Sequence, residues 1–215
     1  MTGASRAVER KALLTATLAH VAFDGWTQTA LNRGAEDAGL DGLAAARLFP
    51  GGATEMIDFF SQWADHEMVR RLGRQDASGV RLRERVAAAV QCRLEVLGPH
   101  REAVRRGLAV LALPTNAPLA LRILHRTVDA IWYEVGDRSA DFSYYTRRAL
   151  LAAVCGATML VWLDDTSPDN VESWAFLQRR IDDVMRIAGL RGRIQRRLGA
   201  VRGRTRALPG VFARR

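Results

Sequence analysis

The sequence predicts an all-α fold, and three observations carry that expectation. Apolar residues recur at three- and four-residue spacing along most of the chain. No segment alternates apolar and polar residues long enough to suggest a strand. Breaker clusters such as Pro50-Gly51-Gly52, Gly98-Pro99 and Pro114 fall where the helical periodicity stops. At 215 residues, 48% apolar and 26% charged, the chain suits one globular domain, or a small module joined to a larger one.

Taken in order, the first helix is expected from about Ser5 to Phe23, burying Leu14, Leu18, Val21 and Ala22. Short helices follow near Thr29–Ala38 and Gly42–Phe49, then a longer one over about Ala53–Leu72 with Met56, Ile57, Phe60, Trp63 and Ala64 on one face. Further helices are expected near Val80–Leu97 and Arg101–Leu113. The next, near Asn116–Val135, sets Leu121, Leu124, Val128, Ile131 and Trp132 along a stripe, with Pro118 tolerated in its first turn. The most apolar helix spans about Asp141–Leu163. Ser167-Pro168 reads as N-cap and first residue of a last helix to about Ala188, burying Val171, Trp174, Ile181, Val184 and Met185. These boundaries divide the chain into residues 1–73, 74–189 and 190–215.

Charge is distributed unevenly. The net charge is +9, and Leu190–Arg215 holds nine arginines and no acid, so the preceding body is neutral. Leu190, Ile194, Leu198, Val201 and Leu208 fall at helical spacing among arginines that include Arg193, Arg197 and Arg204. That is the pattern of an amphipathic helix lying on an anionic membrane, where each basic residue contributes about 1 kcal/mol. A nucleic-acid arm is the rival reading, but it gives the apolar stripe no purpose. The longest apolar run, Ala149–Leu163, is 15 residues, short of the roughly 18–20 that span a bilayer. No secretory signal is evident at the N-terminus, and the expected location is cytoplasmic, peripheral on the inner face of the cell membrane.

Catalytic signatures are not convincing. There is no phosphate-binding glycine loop or nucleophile elbow. His20, His66, His100 and His125 are scattered, none with a Glu three residues earlier, and no cofactor or metal is expected. Asp65-His66-Glu67 reads as an exposed helical turn and Asp164-Asp165 as a solvated loop. Cys92 and Cys155, far apart in apolar surroundings, read as small buried hydrophobes.

From about Lys11 to Phe60, an apolar first helix, an aromatic-Gly turn, an Ala-Gly turn and a closing Phe-Pro resemble the TetR-like DNA-binding domain. The segment matching the recognition helix reads Leu43-Ala44-Ala45-Ala46-Arg47, poor in base-edge hydrogen bonders. Between Thr27 and Phe60, Arg33 and Arg47 face Glu36, Asp37, Asp41, Glu55 and Asp58, a net charge of −3. No nucleic-acid partner is expected, although a TetR-type regulator with a lipid-like ligand is the alternative function.

The second half carries Val128-Asp129-x-Ile131-Trp132, Gly136-Asp137-x-Ser139-x-Asp141-Phe142, Tyr145-Thr146-Arg147-Arg148-Ala149 and Asp165-x-Ser167-Pro168-Asp169. These resemble the ubiquinone-biosynthesis accessory lipid-binding family (Coq-nine). The resemblance implies a homodimeric, non-catalytic protein with an apolar pocket among its C-terminal helices. It would bind an isoprenoid quinone lipid and present the ring of a polyprenylated precursor to a membrane-associated di-iron hydroxylase. Asp129, Trp132 and Tyr133, with Tyr145 nearby, are the positions the resemblance assigns to that docking surface. Independently, adjacent Trp132 and Tyr133 cannot both face one core, so one of them is expected outside; that Trp132 is core stays open. The helix Ala149–Leu163 is apolar all round and therefore expected to be buried on every side, with Met159, Leu160, Trp162 and Leu163 lining the lipid pocket or an interface.

Overall fold

The computed structural model describes residues 3–74, 79–136, 143–184 and 186. They form α1 (Gly3–Asp24), α2 (Gln28–Asp37), α3 (Ala44–Leu48), α4 (Gly52–Leu72), α5 (Leu82–Leu97), α6 (Arg101–Leu111), α7 (Ala117–Glu134), α8 (Ser143–Asp164) and a further helix, α9, over 171–184. No strand occurs among the described residues. The tail positions Leu190, Arg193, Ile194, Arg197, Leu198, Val201, Arg204 and Leu208, and the Tyr145 side chain, lie outside the described residues.

In the N-terminal unit, α1 lies against α2 with Leu13, Leu14, Thr17, Leu18 and Val21 buried. A Cβ at Gly34 would sit 2.2 Å from the Thr17 hydroxyl oxygen, so only glycine lets α2 approach α1 this closely. Thr27 caps α2 by accepting a hydrogen bond from the Ala30 amide at 3.2 Å. Arg10 holds the unit to α4, pairing with Glu55 at 2.9 Å and stacking over the Phe49 and Phe59 rings. Beyond it α4 packs on both α5 and α7, and the Trp26 indole donates to the Ala103 carbonyl of α6 at 2.9 Å. The core is continuous from α1 to α9.

Four expectations change. Asp65 is buried, because its carboxylate meets Arg93 of α5 and Thr127 of α7, while its neighbour His66 is exposed. Asp165 is also buried: it accepts from the amides and hydroxyls of both Ser167 and Ser173 at 2.5–2.8 Å. That grip sets the start of α9. A short turn at 168–170 follows Ser167, but Asp169 and Asn170 there adopt positive φ (52° and 56°), which breaks the helical path, and the regular helix begins only at 171. Its phase then turns Ser173, Leu177 and Ile181 inward and leaves Val171 exposed.

The third change concerns α7, where Leu121 is exposed rather than part of the buried stripe of Val128, Ile131 and Trp132. The fourth is α8. It packs on α5 and α7, but only 33% of its apolar window is buried, so a face of it remains open. By length and composition alone, Thr146–Asp164 (19 residues) is also long and apolar enough to cross a membrane.

Candidate functional site

Small side chains on α8 open a space in the second half. Cys155 and Gly156 sit where Leu or Phe would close the gap against α5, α6 and α7, and a cavity of about 540 Å³ results. Its walls are mainly aliphatic, including Val90, Leu94, Leu108, Ile123, Ile131 and Met159. Burial, opposed in part by Arg93, pushes the Cys155 thiol up to about 12, so it stays protonated and acts as another apolar wall. Leu160, 61% exposed, and the exposed Ala112 also line the space and mark its mouth. A smaller pocket of about 70 Å³ continues inward toward Trp26 and Phe60, sharing Arg93, Ile123 and Met159 with the larger one.

Two polar side chains reach this otherwise apolar lining, Arg93 and Thr127. Arg93 is buried, donating through Nε to Asp65 at 2.7 Å and through Nη2 to Ser61 at 2.9 Å. Thr127 donates to Asp65 at 3.0 Å. Arg126 extends the network outward, 3.5 Å from Asp65 and 2.6 Å from Asp58, and Arg122 pairs with Asp58 at the surface. Removing one member of so buried a pair leaves the other uncompensated, which makes it a fixed frame behind the cavity.

Of the four pocket positions read from sequence, Met159 and Leu160 line the cavity. Trp162 and Leu163 do not; they are buried in the last turn of α8, just beyond the cavity. There the Arg101 guanidinium lies 4.5 Å over the Trp162 ring and donates to the Asp165 carbonyl at 2.7 Å. Arg105 donates to the Leu163 carbonyl and pairs with Asp164. The two arginines of α6 thereby satisfy carbonyls that the α8 C-terminus leaves unpaired.

On α7 the two aromatics part. Trp132 is 7% exposed and belongs to the core, whereas Tyr133 is 74% exposed. Leu121, His125, Asp129 and Tyr133 recur every four residues and form one outward stripe. Asp129 is held there by Arg148 of α8 at 2.5 Å and His125 at 3.2 Å. The predicted docking residues thus separate into an outward Asp129 and Tyr133 and an inward Trp132. Sequence reasoning missed the Asp65–Arg93 frame, since acid and base lie 28 residues apart and neither helix betrays the pairing.

In the N-terminal unit the two arginines between Thr27 and Phe60 both face acids of the same unit. Arg33 pairs with Asp24 at 2.6 Å, and Arg47 with Asp41 at 3.0 Å and Glu9 at 3.2 Å. Among the described residues no group of three or more His, Cys, Asp or Glu side chains could hold a metal ion.

Comparison with known proteins places this arrangement. Residues 117–188, which hold α7, α8 and α9, match the COQ9 family model. The mitochondrial ubiquinone biosynthesis protein COQ9 of Homo sapiens is 38% identical over 180 residues, covering 80% of this chain and 56% of that protein. The COQ9 protein of Drosophila melanogaster is 35% identical over 182 residues, covering 83% of this chain and 56% of that one. The chain therefore spans somewhat more than half the length of these relatives. A TetR transcriptional regulator from Nitrosomonas europaea ATCC 19718 superimposes with a TM-score of 0.68 over 82% of this chain and 97% of its own, at 19% identity, a likeness of fold alone. The chain is thus similar in sequence to COQ9 proteins over about four fifths of its length and is built on a TetR-like fold.

Proposed function

We propose that this protein serves ubiquinone biosynthesis without catalysing a step itself, binding a polyprenylated quinone precursor and presenting it to a membrane-associated di-iron hydroxylase. The cavity among α5, α6, α7 and α8 carries the proposal. A space of about 540 Å³ with aliphatic walls and an open mouth falls in the range of small-molecule sites. Sheltering an isoprenoid chain there offsets about 25 cal/mol for each Å² of apolar surface removed from water. Native mass spectrometry and lipid extraction of the purified protein test it. A co-purifying isoprenoid quinone or other long apolar lipid is expected; a protein that stays empty after gentle purification and takes up no added quinone would refute it.

Three partners complete the proposal. Tyr133 and Asp129 on the outward stripe of α7 form the docking surface for the hydroxylase, with Trp132 supporting them from inside. The open face of α8, where Ala149 and Ala153 are exposed, is covered by a second copy of the chain in a homodimer. The basic stripe of 190–215 lies on the inner face of an anionic membrane, and liposome flotation that survives its deletion would remove that part. The rival regulator reading lacks a supporting feature in the reading segment, whose one arginine, Arg47, is already paired with Asp41 and Glu9.

A further inference from the structure

Arg93 presents a difficulty for a site that holds only hydrocarbon. Its residue surface is 94% buried, a guanidinium in that position needs its donors satisfied, and Nε and Nη2 are engaged by Asp65 and Ser61. The third nitrogen, Nη1, makes no hydrogen bond with any described residue, yet the side chain lines both the large cavity and the small pocket behind it. Apart from Thr127, whose hydroxyl is directed at Asp65, every other side chain around the large cavity is apolar or a protonated thiol.

From this we infer that Arg93 is the polar anchor of the cavity, receiving on Nη1 a neutral oxygen acceptor, a carbonyl or phenolic oxygen, carried by an otherwise apolar ligand. The inference rests on the lipid reading above and adds which end of the ligand enters first. Asp65 already balances the guanidinium charge at 2.7 Å, so a neutral acceptor completes the donor set without bringing a second anion beside that carboxylate. The oxygen-bearing end then points inward, where the two cavities share Arg93, and the hydrocarbon end extends past Met159 toward the mouth at Leu160. Handing the head group to another protein requires it to leave Arg93, so the anchor favours retention over release.

The test uses the full chain and three probes with the same ten-carbon side chain: an alkyl benzoquinone, the matching alkylbenzene and a fatty acid. The quinone is expected to bind about 10- to 100-fold more tightly than the alkylbenzene, the contribution of one hydrogen bond to a charged donor. Arg93→Lys, which keeps a cation for Asp65 but loses the guanidinium fork, should shrink that preference to about threefold or less while the alkylbenzene still binds. A residue that only props up the fold would weaken both probes alike and leave their ratio intact, and that result overturns the proposal. Equal binding of quinone and alkylbenzene by the unaltered protein also overturns it, leaving the cavity reading in place. Fatty acid binding tighter than quinone overturns the neutral-acceptor assignment. If no probe binds, the lipid reading fails together with the anchor.

Discussion

Gly156 offers a way to close the cavity without damaging its walls. It lies inside α8, lines the space, and a Cβ built there would meet nothing within 4 Å. Gly156→Leu therefore places four carbons where the ligand's chain would run. Each displaced methylene costs about 0.8 kcal/mol, so binding of a chain that fills the site should weaken by roughly 3 kcal/mol, about 100-fold. The same substitution removes a helix-interior glycine, which favours the folded state by about 0.5–1 kcal/mol. For a chain of this size that raises the melting temperature by about 2–4 °C per kcal/mol. The assay is quinone titration followed by thermal unfolding of lipid-stripped protein, since bound ligand would itself raise the Tm. Native mass on the same sample checks the oligomer, because Gly156 adjoins the open face of α8. Unaltered affinity with a raised Tm would place the lipid outside this cavity. Loss of both binding and stability would show that the side chain cannot use the open space.

The remaining substitutions separate support from contact. Trp132→Ala should cost about 3–5 kcal/mol, as truncation of a buried aromatic does, whereas Tyr133→Ala should change stability by about 0.5 kcal/mol or less yet weaken capture of the hydroxylase. Capture undisturbed by Tyr133→Ala would remove the α7 stripe from the proposed surface. Asp165 makes stability depend on acid. Burial alone would raise its pKa, but hydrogen bonds from Ser167 and Ser173 outweigh it and hold the carboxyl below its ordinary 3.8. A folded-state pKa below the unfolded one gives stabilisation that is complete above the unfolded value and fades as pH falls through it toward the folded value. Asp165→Ala should lower the urea-unfolding free energy by about 1–2 kcal/mol near neutral pH, and by less below the carboxylate range. Glu67, drawn down to about 2 chiefly by its hydrogen bond from Arg70, titrates in the same region in both proteins and cancels from the difference. An equal loss at both pH values would refute the capping role.

The helices were legible because their periodicity is strong and their breakers are well placed; α4, α6 and α7 begin within one residue of the expected positions and α4 ends where expected. Where expectation failed, a contact distant in sequence had intervened. Nothing local in Asp65-His66-Glu67 shows that Asp65 has Arg93 and Thr127 as partners, so the burial of that one acid depends on how α5 and α7 pack. At Ser167-Pro168 the cap pattern was present, but Asp165 took both serines and two left-handed residues delayed the helix. Trp162 and Leu163 share the composition of a pocket wall; only the placement of Arg101 and Arg105 assigns them to a helix end. Met159 and Leu160 were recognisable as candidates from apolarity, but the space beside them comes from Gly156 and Cys155, small residues whose effect depends on what stands opposite.

The TetR-like start raises the question of duplex binding, and charge provides a sharp test of it. Affinity for DNA falls with salt by a slope of about −0.9 for each phosphate neutralised, and a reader making 6–10 such contacts loses about 10³–10⁵ between low and moderate salt. The segment from Thr27 to Phe60 has two arginines, and each is in an ion pair with an acid of the same unit. Freeing Arg47 for a phosphate means breaking its bonds to Asp41 and Glu9 and bringing those carboxylates beside the polyanion. The nine arginines of 190–215, by contrast, can hold any duplex through charge alone. Retention by the full chain should thus depend steeply on salt but not on sequence, and Arg47→Ala should leave it within about twofold. A duplex bound in preference to scrambled competitors, with that preference abolished by Arg47→Ala, would mean that α3 reads bases after all and would restore the regulator reading.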